Sequence, residues 1–224
     1  MPNYYPVYLN LEGRKCVVIG GGEVAEGKLR GLIEAGARIT LITPEITPGI
    51  QEMVSRGDVH WEAREYRPGD LEGAFLAIAA TDDNKVNRAV HQEAESRGIL
   101  LNVVDVTHLC NFIAPAIVRR GVVTLAISTS GASPALARKL RETFSQSSDL
   151  QWADLAPVLS RARMELKRRK AHVHPDRWQE AMDTHLLTLA QQGKDEEAFQ
   201  LLLSRLLDGV AHSSTESSNG GGAR

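Results

Sequence analysis

Residues 17–37, VVIGGGEVAEGKLRGLIEAGA, place three glycines between a β-branched run and an amphipathic helical pattern. A strand, a glycine turn and a helix N-terminus, in that order, build an anion site. Free backbone N–H groups and the positive end of the helix dipole converge there. Two phosphate-binding patterns overlap in this stretch. From Gly20 it reads G-x-G-x-x-A, the dinucleotide loop, and from Gly22 it reads G-x-x-x-x-G-K, the triphosphate loop without its final Ser or Thr. The triphosphate reading fails on chemistry. Leu29 stands where a hydroxyl must hold Mg2+, and a helix starting near Glu23 puts Lys28 more than a turn inside it, unable to curl back over phosphates. In the dinucleotide reading Gly20 makes the tight turn and Gly22 lets the backbone approach a pyrophosphate. Ala25 lets the helix pack closely on its strand, and Gly21 completes the loop.

The rest of the first hundred residues alternates between strand and helix patterns. Strands are expected over 15–19, 38–42, 59–62, 75–79 and 100–104, with helices over 23–34, 47–56 and 86–97 between them. Such alternation predicts an α/β fold, a Rossmann-type parallel sheet covered on both faces. The pattern then changes. FIAPAIVRRGVVTLAIST (112–129) holds two β-rich runs around Arg-Arg-Gly with no helix between, which reads as a hairpin. Ser133 and Pro134 read as the N-cap and first position of a helix over 133–144, and leucine-rich helical sequence runs from Trp152 to Leu207. The expected division is a dinucleotide-binding domain over 1–112, a small α+β segment over 113–147, a helical domain over 148–211 and a disordered polar tail over 212–224.

Composition narrows the function classes. No apolar run reaches the about 18 residues that a membrane helix needs, so no membrane association is expected. MPNYYPVYLNLEG lacks the pattern of a secretory signal, and two cysteines are too few for a disulfide framework; a reducing cytoplasm is the expected compartment. Charge is uneven. Residues 113–170 hold 11 Lys or Arg against 4 Asp or Glu, a net +7 inside a chain of net −2, which points to an anionic partner or to a solvated helix face. No helix-turn-helix stands out, and no nucleic-acid partner is expected.

Candidate chemistry is sparse. No tyrosine has a lysine four residues on, and there is no H-E-x-x-H; HVH (172–174) reads as a surface turn. The end of the second strand, LITPEI, has Thr43 and Pro44 where a ribose-binding carboxylate usually stands, with Glu45 following from the loop, and this favours NAD over NADP. Thr81, in the ATDDNK turn closing the fourth strand, joins Thr43 as a candidate cofactor contact. Asp105 follows the fifth strand in NVVDVTHLCNF, at the carboxyl edge where open α/β sheets bind ligands. A carboxylate there is placed for general-base work on a substrate carbon or nitrogen, or else serves as a turn or capping aspartate. His108 and Cys110 stand close enough in sequence to be metal ligands, but two such groups and one carboxylate do not define a metal site, and a turn with a partly buried thiol fits equally.

Five motifs occur together and in order: IGGGEVAEGK (19–28), AIAATDDNKVN (77–87), NVVD (102–105), FIAPAIVRRG (112–121) and ISTSGASPALARKLRE (127–142). Across residues 3–145 the chain closely resembles the precorrin-2 dehydrogenase family, including the dehydrogenase–chelatase part of sirohaem synthase. The resemblance implies NAD-dependent oxidation of precorrin-2 to sirohydrochlorin, with Fe2+ insertion to sirohaem in some members, by an intertwined homodimer whose central segment dimerises. It implies NAD contacts from Glu23, Val24, Pro44 and Glu45, and an acid/base role for Asp105 in both reactions. Thr129 and Ser130 depart from the serine- and glycine-rich spelling of some members. A substrate with eight carboxylates suits the basic segment, where Arg119, Arg120, Arg138, Lys139 and Arg141 are candidate substrate contacts beside Ser128 and Thr129. A second reading, a non-catalytic NAD-responsive redox sensor, leaves Asp105 without a role.

Overall fold

The structure, a computed structural model, describes residues 4–208, so the expected disordered tail over 212–224 lies outside the described residues. The chain forms two compact units. Residues 4–115 with Ser128–Pro134 make one, and Ala116–Ile127 with residues 135–208 make the other.

The first unit is a five-stranded parallel sheet. Its strands are β1 (Lys15–Ile19), β2 (Arg38–Ile42), β3 (Val59–Glu62), β4 (Leu76–Ala79) and β5 (Leu100–Val103), in the spatial order β3-β2-β1-β4-β5. Helices α1 (Glu23–Glu34), α2 (Pro48–Ser55) and α3 (Asn84–Arg97) make the connections. Side-chain alternation sorts the core into two layers. Cys16 and Val18 of β1 face Ala25 and Leu29 of α1 and Ile50 and Met53 of α2. Val17 and Ile19 point the other way, into a layer with Val90 and Ala94 of α3.

Local signals set the element ends. Thr47 caps α2 by accepting from the Ile50 N–H. Asp83 accepts from the Lys85 and Val86 N–H groups, so α3 starts at Asn84, two residues before the hydrophobic pattern alone predicts. Gly98 ends α3 in the left-handed region, φ 65°. The open edge of β5 is covered by two residues of the segment that follows it: Asn111 donates its backbone N–H to Leu101 O (3.0 Å), accepts from the Leu101 N–H on Oδ1 (2.7 Å) and donates from Nδ2 to Ile99 O (2.9 Å), and the Cys110 sulfur accepts from the Val103 N–H (3.1 Å).

The second unit begins with the hairpin of β6 (Ala116–Arg120) and β7 (Val123–Ile127), paired antiparallel. The turn lies at Gly121 (φ 56°) and Val122, which corrects the expected turn at Arg-Arg-Gly: Arg119 and Arg120 are strand residues paired with Thr124 and Val123. Helix α4 (Pro134–Ser145) starts at Pro134 as its sequence predicts. A 3₁₀ segment (Ser148–Leu155) follows, then α5 (Ala156–Arg168), α6 (Pro175–Ala181), α7 (Thr184–Gln191) and α8 (Asp195–Asp208). Their core is aliphatic, with Leu155, Leu186, Leu202 and Leu206 fully buried. Among the described residues no helix is long and apolar enough to cross a membrane.

Cys16 is fully enclosed on β1, and burial pushes its thiol up from 9.0 to about 11. The folded state therefore favours the neutral thiol. Stability from this site is complete below pH 9 and is lost as pH rises toward 11, because the unfolded thiol ionises first. The loss is on the order of 2 kcal/mol over that interval. Urea unfolding at pH 8, 10 and 11 should show it in the wild type, and Cys16→Ala should lack that part of the slope.

Candidate functional site

The order β3-β2-β1-β4-β5 puts the switch in chain direction between β1 and β4, and ligands of open α/β sheets bind at the carboxyl ends there. The glycine turn follows β1 at that point. Gly20 has φ 107°, and a Cβ on it would lie 2.1 Å from the Ala80 carbonyl oxygen after β4. A Cβ on Gly21 would lie 2.0 Å from the Glu45 carbonyl oxygen after β2. Gly22 differs: it caps α1 without a side-chain bond, and no atom lies within 4 Å of where its Cβ would be. Two glycines thus admit protein backbone, and the third leaves open space at a helix N-terminus. Ala25 is fully buried in the core, as close helix–strand packing requires, while Glu23 and Val24 are exposed beside the turn.

The loop after β2 is fastened to the glycine turn. The Thr47 N–H donates to Gly21 O (3.1 Å) and the Gly20 N–H to Ile42 O (3.1 Å). Thr43 is buried, and its hydroxyl donates to Glu45 O (3.0 Å), so it holds the loop together; Pro44 and Glu45 are the exposed residues of that loop. Thr81 follows Ala80. Its hydroxyl accepts from the Asp83 N–H, and its carbonyl accepts from Asn87 Nδ2 (3.0 Å). Asn87 is 2% exposed and its Oδ1 has no partner, a buried acceptor left over beneath this loop. The open cradle at Gly22 and the helix end without a side-chain cap fit a dinucleotide with its pyrophosphate on α1. Gly20–Ala25, Thr43–Glu45 and Thr81 are therefore brought to one edge of the sheet. Glu26 and Thr47 escaped the sequence reading as site residues, because their contact joins α1 to the loop after β2; Asn87 meets Thr81 only six residues away, a spacing that carries no signal of its own.

Asp105 stands at the same edge, in the turn after β5. The Val104 N–H donates to Ala79 O (2.9 Å), tying that turn to the end of β4. Asp105 is exposed with φ 59°, a left-handed conformation that aspartate tolerates better than most residues. Its carboxylate meets no hydrogen-bond or ion-pair partner among the described residues, so it does not cap a helix. Cys110 holds this turn from behind. Its sulfur accepts from the Val103 N–H (3.1 Å) and lies within donating distance of Val103 O (3.2 Å) and Val106 O (3.4 Å). Burial first, offset in part by the Val103 hydrogen bond, raises its pKa. His108 is exposed in the 3₁₀ turn Thr107–Leu109. Among the described residues no three His, Cys, Asp or Glu side chains gather as a metal site.

The segment Ser128–Pro134 returns to this unit, with Gly131 within 3.7 Å, by its Cβ position, of the Thr107 side chain. Ser128 accepts from the Ser130 N–H, and Thr129 Oγ1 accepts from the Ser133 N–H and donates to Ser133 O. Ser130 stands at φ 53°. The basic candidates belong to the second unit. Arg120 makes a two-pronged ion pair with Asp154 (2.7 and 2.6 Å), and Arg138 pairs with Glu142 (3.0 Å). Arg119, Lys139 and Arg141 are exposed. His174 of HVH lies in the turn before α6 and accepts weakly from the Asp176 N–H (3.4 Å).

Strand order, glycine turn and helix end define a dinucleotide-binding protein of the Rossmann type. A family model described as "Putative NAD(P)-binding" matches residues 7–116, and one described as "Sirohaem biosynthesis protein central" matches residues 120–147. The solved structure of "SirC, precorrin-2 dehydrogenase" is 30% identical, with a TM-score of 0.68, over 89% of this chain and 98% of that one. "Siroheme synthase" of Photorhabdus laumondii is 35% identical over 206 residues, 91% of this chain and 44% of that protein. "Siroheme synthase" of Stutzerimonas stutzeri is 39% identical over 210 residues, 93% of this chain and 45% of that protein. The chain spans less than half the length of these two synthases. It belongs to the precorrin-2 dehydrogenase family of sirohaem-biosynthesis proteins.

The glycines separate packing from ligand binding. Gly21→Ala should cost on the order of 2 kcal/mol, because the Glu45 backbone must move. Gly22→Ala should cost about 1 kcal/mol or less, as an N-cap change in open space, yet weaken NAD binding at least about tenfold. Denaturant unfolding and isothermal titration with NAD measure the two effects.

Proposed function

We propose that the protein oxidises precorrin-2 to sirohydrochlorin with NAD. The observation that carries this is Asp105: an exposed, unpartnered carboxylate at the sheet edge that carries the glycine turn, in a chain 30% identical to a precorrin-2 dehydrogenase along nearly the whole of that protein. Bound nicotinamide supplies a two-electron acceptor for the hydride lost from a ring carbon. The remaining proton goes to Asp105, which makes the residue a general base and balances the oxidation. The glycine turn and the α1 N-terminus hold the pyrophosphate; Glu23, Val24, Pro44 and Glu45 border the cofactor, and Glu45, with no arginine beside it, favours NAD over NADP. Preference for the unphosphorylated ribose is read from Glu45, which makes no ion pair among the described residues, while Arg64 beyond β3 is already held by Glu62 and Asp70.

On this reading the basic segment 113–170 serves the carboxylates of the tetrapyrrole, with Arg119, Lys139 and Arg141 as candidate contacts; Ser128 and Thr129 are further candidates. Arg120, Arg138 and Arg141 already meet carboxylates within the chain and would have to exchange partners. Residues 113–147 form the dimerisation segment of a cytoplasmic homodimer, a role supported by exposed Leu125, Leu136 and Phe144. Fe2+ enters as a second substrate, with Asp105 taking pyrrole N–H protons during insertion.

Asp105→Asn keeps a residue at ease in the left-handed turn while removing the base. In an anaerobic assay with precorrin-2, followed by NADH absorbance, its turnover should fall at least about a hundredfold with NAD affinity unchanged. Turnover near the wild-type rate would remove Asp105 from the chemistry. Wild-type protein that yields no NADH would remove the dehydrogenase reading itself. Sirohydrochlorin supplied with Fe2+ should give sirohaem in the wild type and not in Asp105→Asn.

A further inference from the structure

Glu26 stands one turn into α1, where its N–H donates to the carbonyl of the capping Gly22 (3.0 Å). Its side chain is 21% exposed and turns toward α2. One carboxylate oxygen accepts from the Thr47 hydroxyl (2.6 Å), and the other accepts from the Arg30 guanidinium (2.6 Å). The carboxylate covers Gly49 in the first turn of α2, where a Cβ would come within 2.3 Å of one oxygen and 2.5 Å of the other. Thr47 is the N-cap of α2, and its own N–H donates to Gly21 O. A negative charge therefore rests on the positive end of α2, a favourable place for it. The Thr47 hydrogen bond and then Arg30 hold the Glu26 carboxyl below its ordinary range.

The loop between β2 and α2 is thereby pinned at both ends. At its start the Thr43 carbonyl accepts from Trp61 Nε1 (2.9 Å), and at its end Thr47 is held by Gly21 and Glu26. This loop follows the second strand, the place where Rossmann folds read the adenosine ribose and tell a 2′-hydroxyl from a 2′-phosphate. A 2′-phosphate there needs a cation or a helix N-terminus. The N-terminus nearest to it in sequence, that of α2, already carries the Glu26 carboxylate, and that carboxylate also engages the Arg30 guanidinium, the cation beside it.

We propose that Glu26 is a positioning and selectivity residue for the dinucleotide: it fixes the Thr43–Thr47 loop and denies the N-terminus of α2 to a 2′-phosphate. The proposal rests on the dinucleotide reading given above. Gly49 offers a direct way to move the carboxylate. Its backbone accepts alanine, and the three atoms nearest to the added methyl all belong to the end of the Glu26 side chain.

The test is equilibrium titration of the full chain with NAD and NADP, with melting temperatures recorded for each variant. Gly49→Ala should weaken NAD binding about fivefold while the melting temperature holds or rises, because alanine is the better helix former. Glu26→Gln keeps the shape and removes the charge, and should shrink the preference for NAD over NADP about tenfold. Thr47→Val should follow Gly49→Ala in affinity, and Thr47→Ser should restore the wild type. Unchanged NAD affinity in Gly49→Ala, or an unchanged NAD-to-NADP ratio in folded Glu26→Gln, overturns the proposal. So does affinity that falls only where the melting temperature falls, since Glu26 then serves folding alone. Wild-type protein that binds neither dinucleotide overturns the cofactor reading and the proposal together, a result distinct from the other three.

Discussion

Two carbonyl oxygens decide the shape of the site. Ala80 O and Glu45 O come so close to Gly20 and Gly21 that no side chain fits at either position. One oxygen belongs to the loop after β4 and the other to the loop after β2, on opposite sides of β1. The glycine turn is thus where three loops meet, and their mutual approach fixes the crevice that Gly22 leaves open. A side chain at Gly20 or Gly21 would push apart the loops carrying Thr81 and Glu45 before it touched a cofactor. The motif is as much a packing device as a phosphate cradle, and its three glycines divide that work unequally.

Much of this architecture could be read from the chain. Val17, Val18 and Ile19 alternate between two core layers, and the spacing of buried Ala25, Leu29 and Leu32 fixes the inner face of α1. Those periods are local, so the sheet and its helices are legible. Asp105 was legible too, because the carboxyl edge of a parallel sheet is a geometric consequence of strand direction. What stayed hidden is long-range. The contact from Glu26 to Thr47 spans 21 residues, and that from Arg120 to Asp154 spans 34. Neither has a periodic signature. The hairpin turn slipped by a residue because Arg-Arg-Gly carries a turn signal in its glycine alone; Arg119 and Arg120 alternate across the strand like their neighbours.

Cys110 illustrates how a reactive residue type can serve structure. Near His108 and Asp105 it suggests metal chemistry, yet its sulfur lies among the backbone groups of Val103 and Val106. There it supports the left-handed turn that presents Asp105. The Asp105 carboxylate, on an αL residue, is held by its backbone rather than by side-chain partners, which leaves its oxygen lone pairs unengaged within the described residues.

Asn111 has a further consequence. By matching the hydrogen-bonding pattern of β5 with one backbone N–H and one side-chain amide, it acts as a false strand a single residue long. A real sixth strand would leave its own outer edge open, and the problem of an unpaired edge would only move outward. A false strand ends the series instead. This edge of the sheet is closed to templated growth by another chain where the polypeptide leaves the last strand: Asn111 takes the edge groups of Leu101 and Ile99, and the Cys110 sulfur takes those of Val103, so two neighbouring residues do the work of an extra strand.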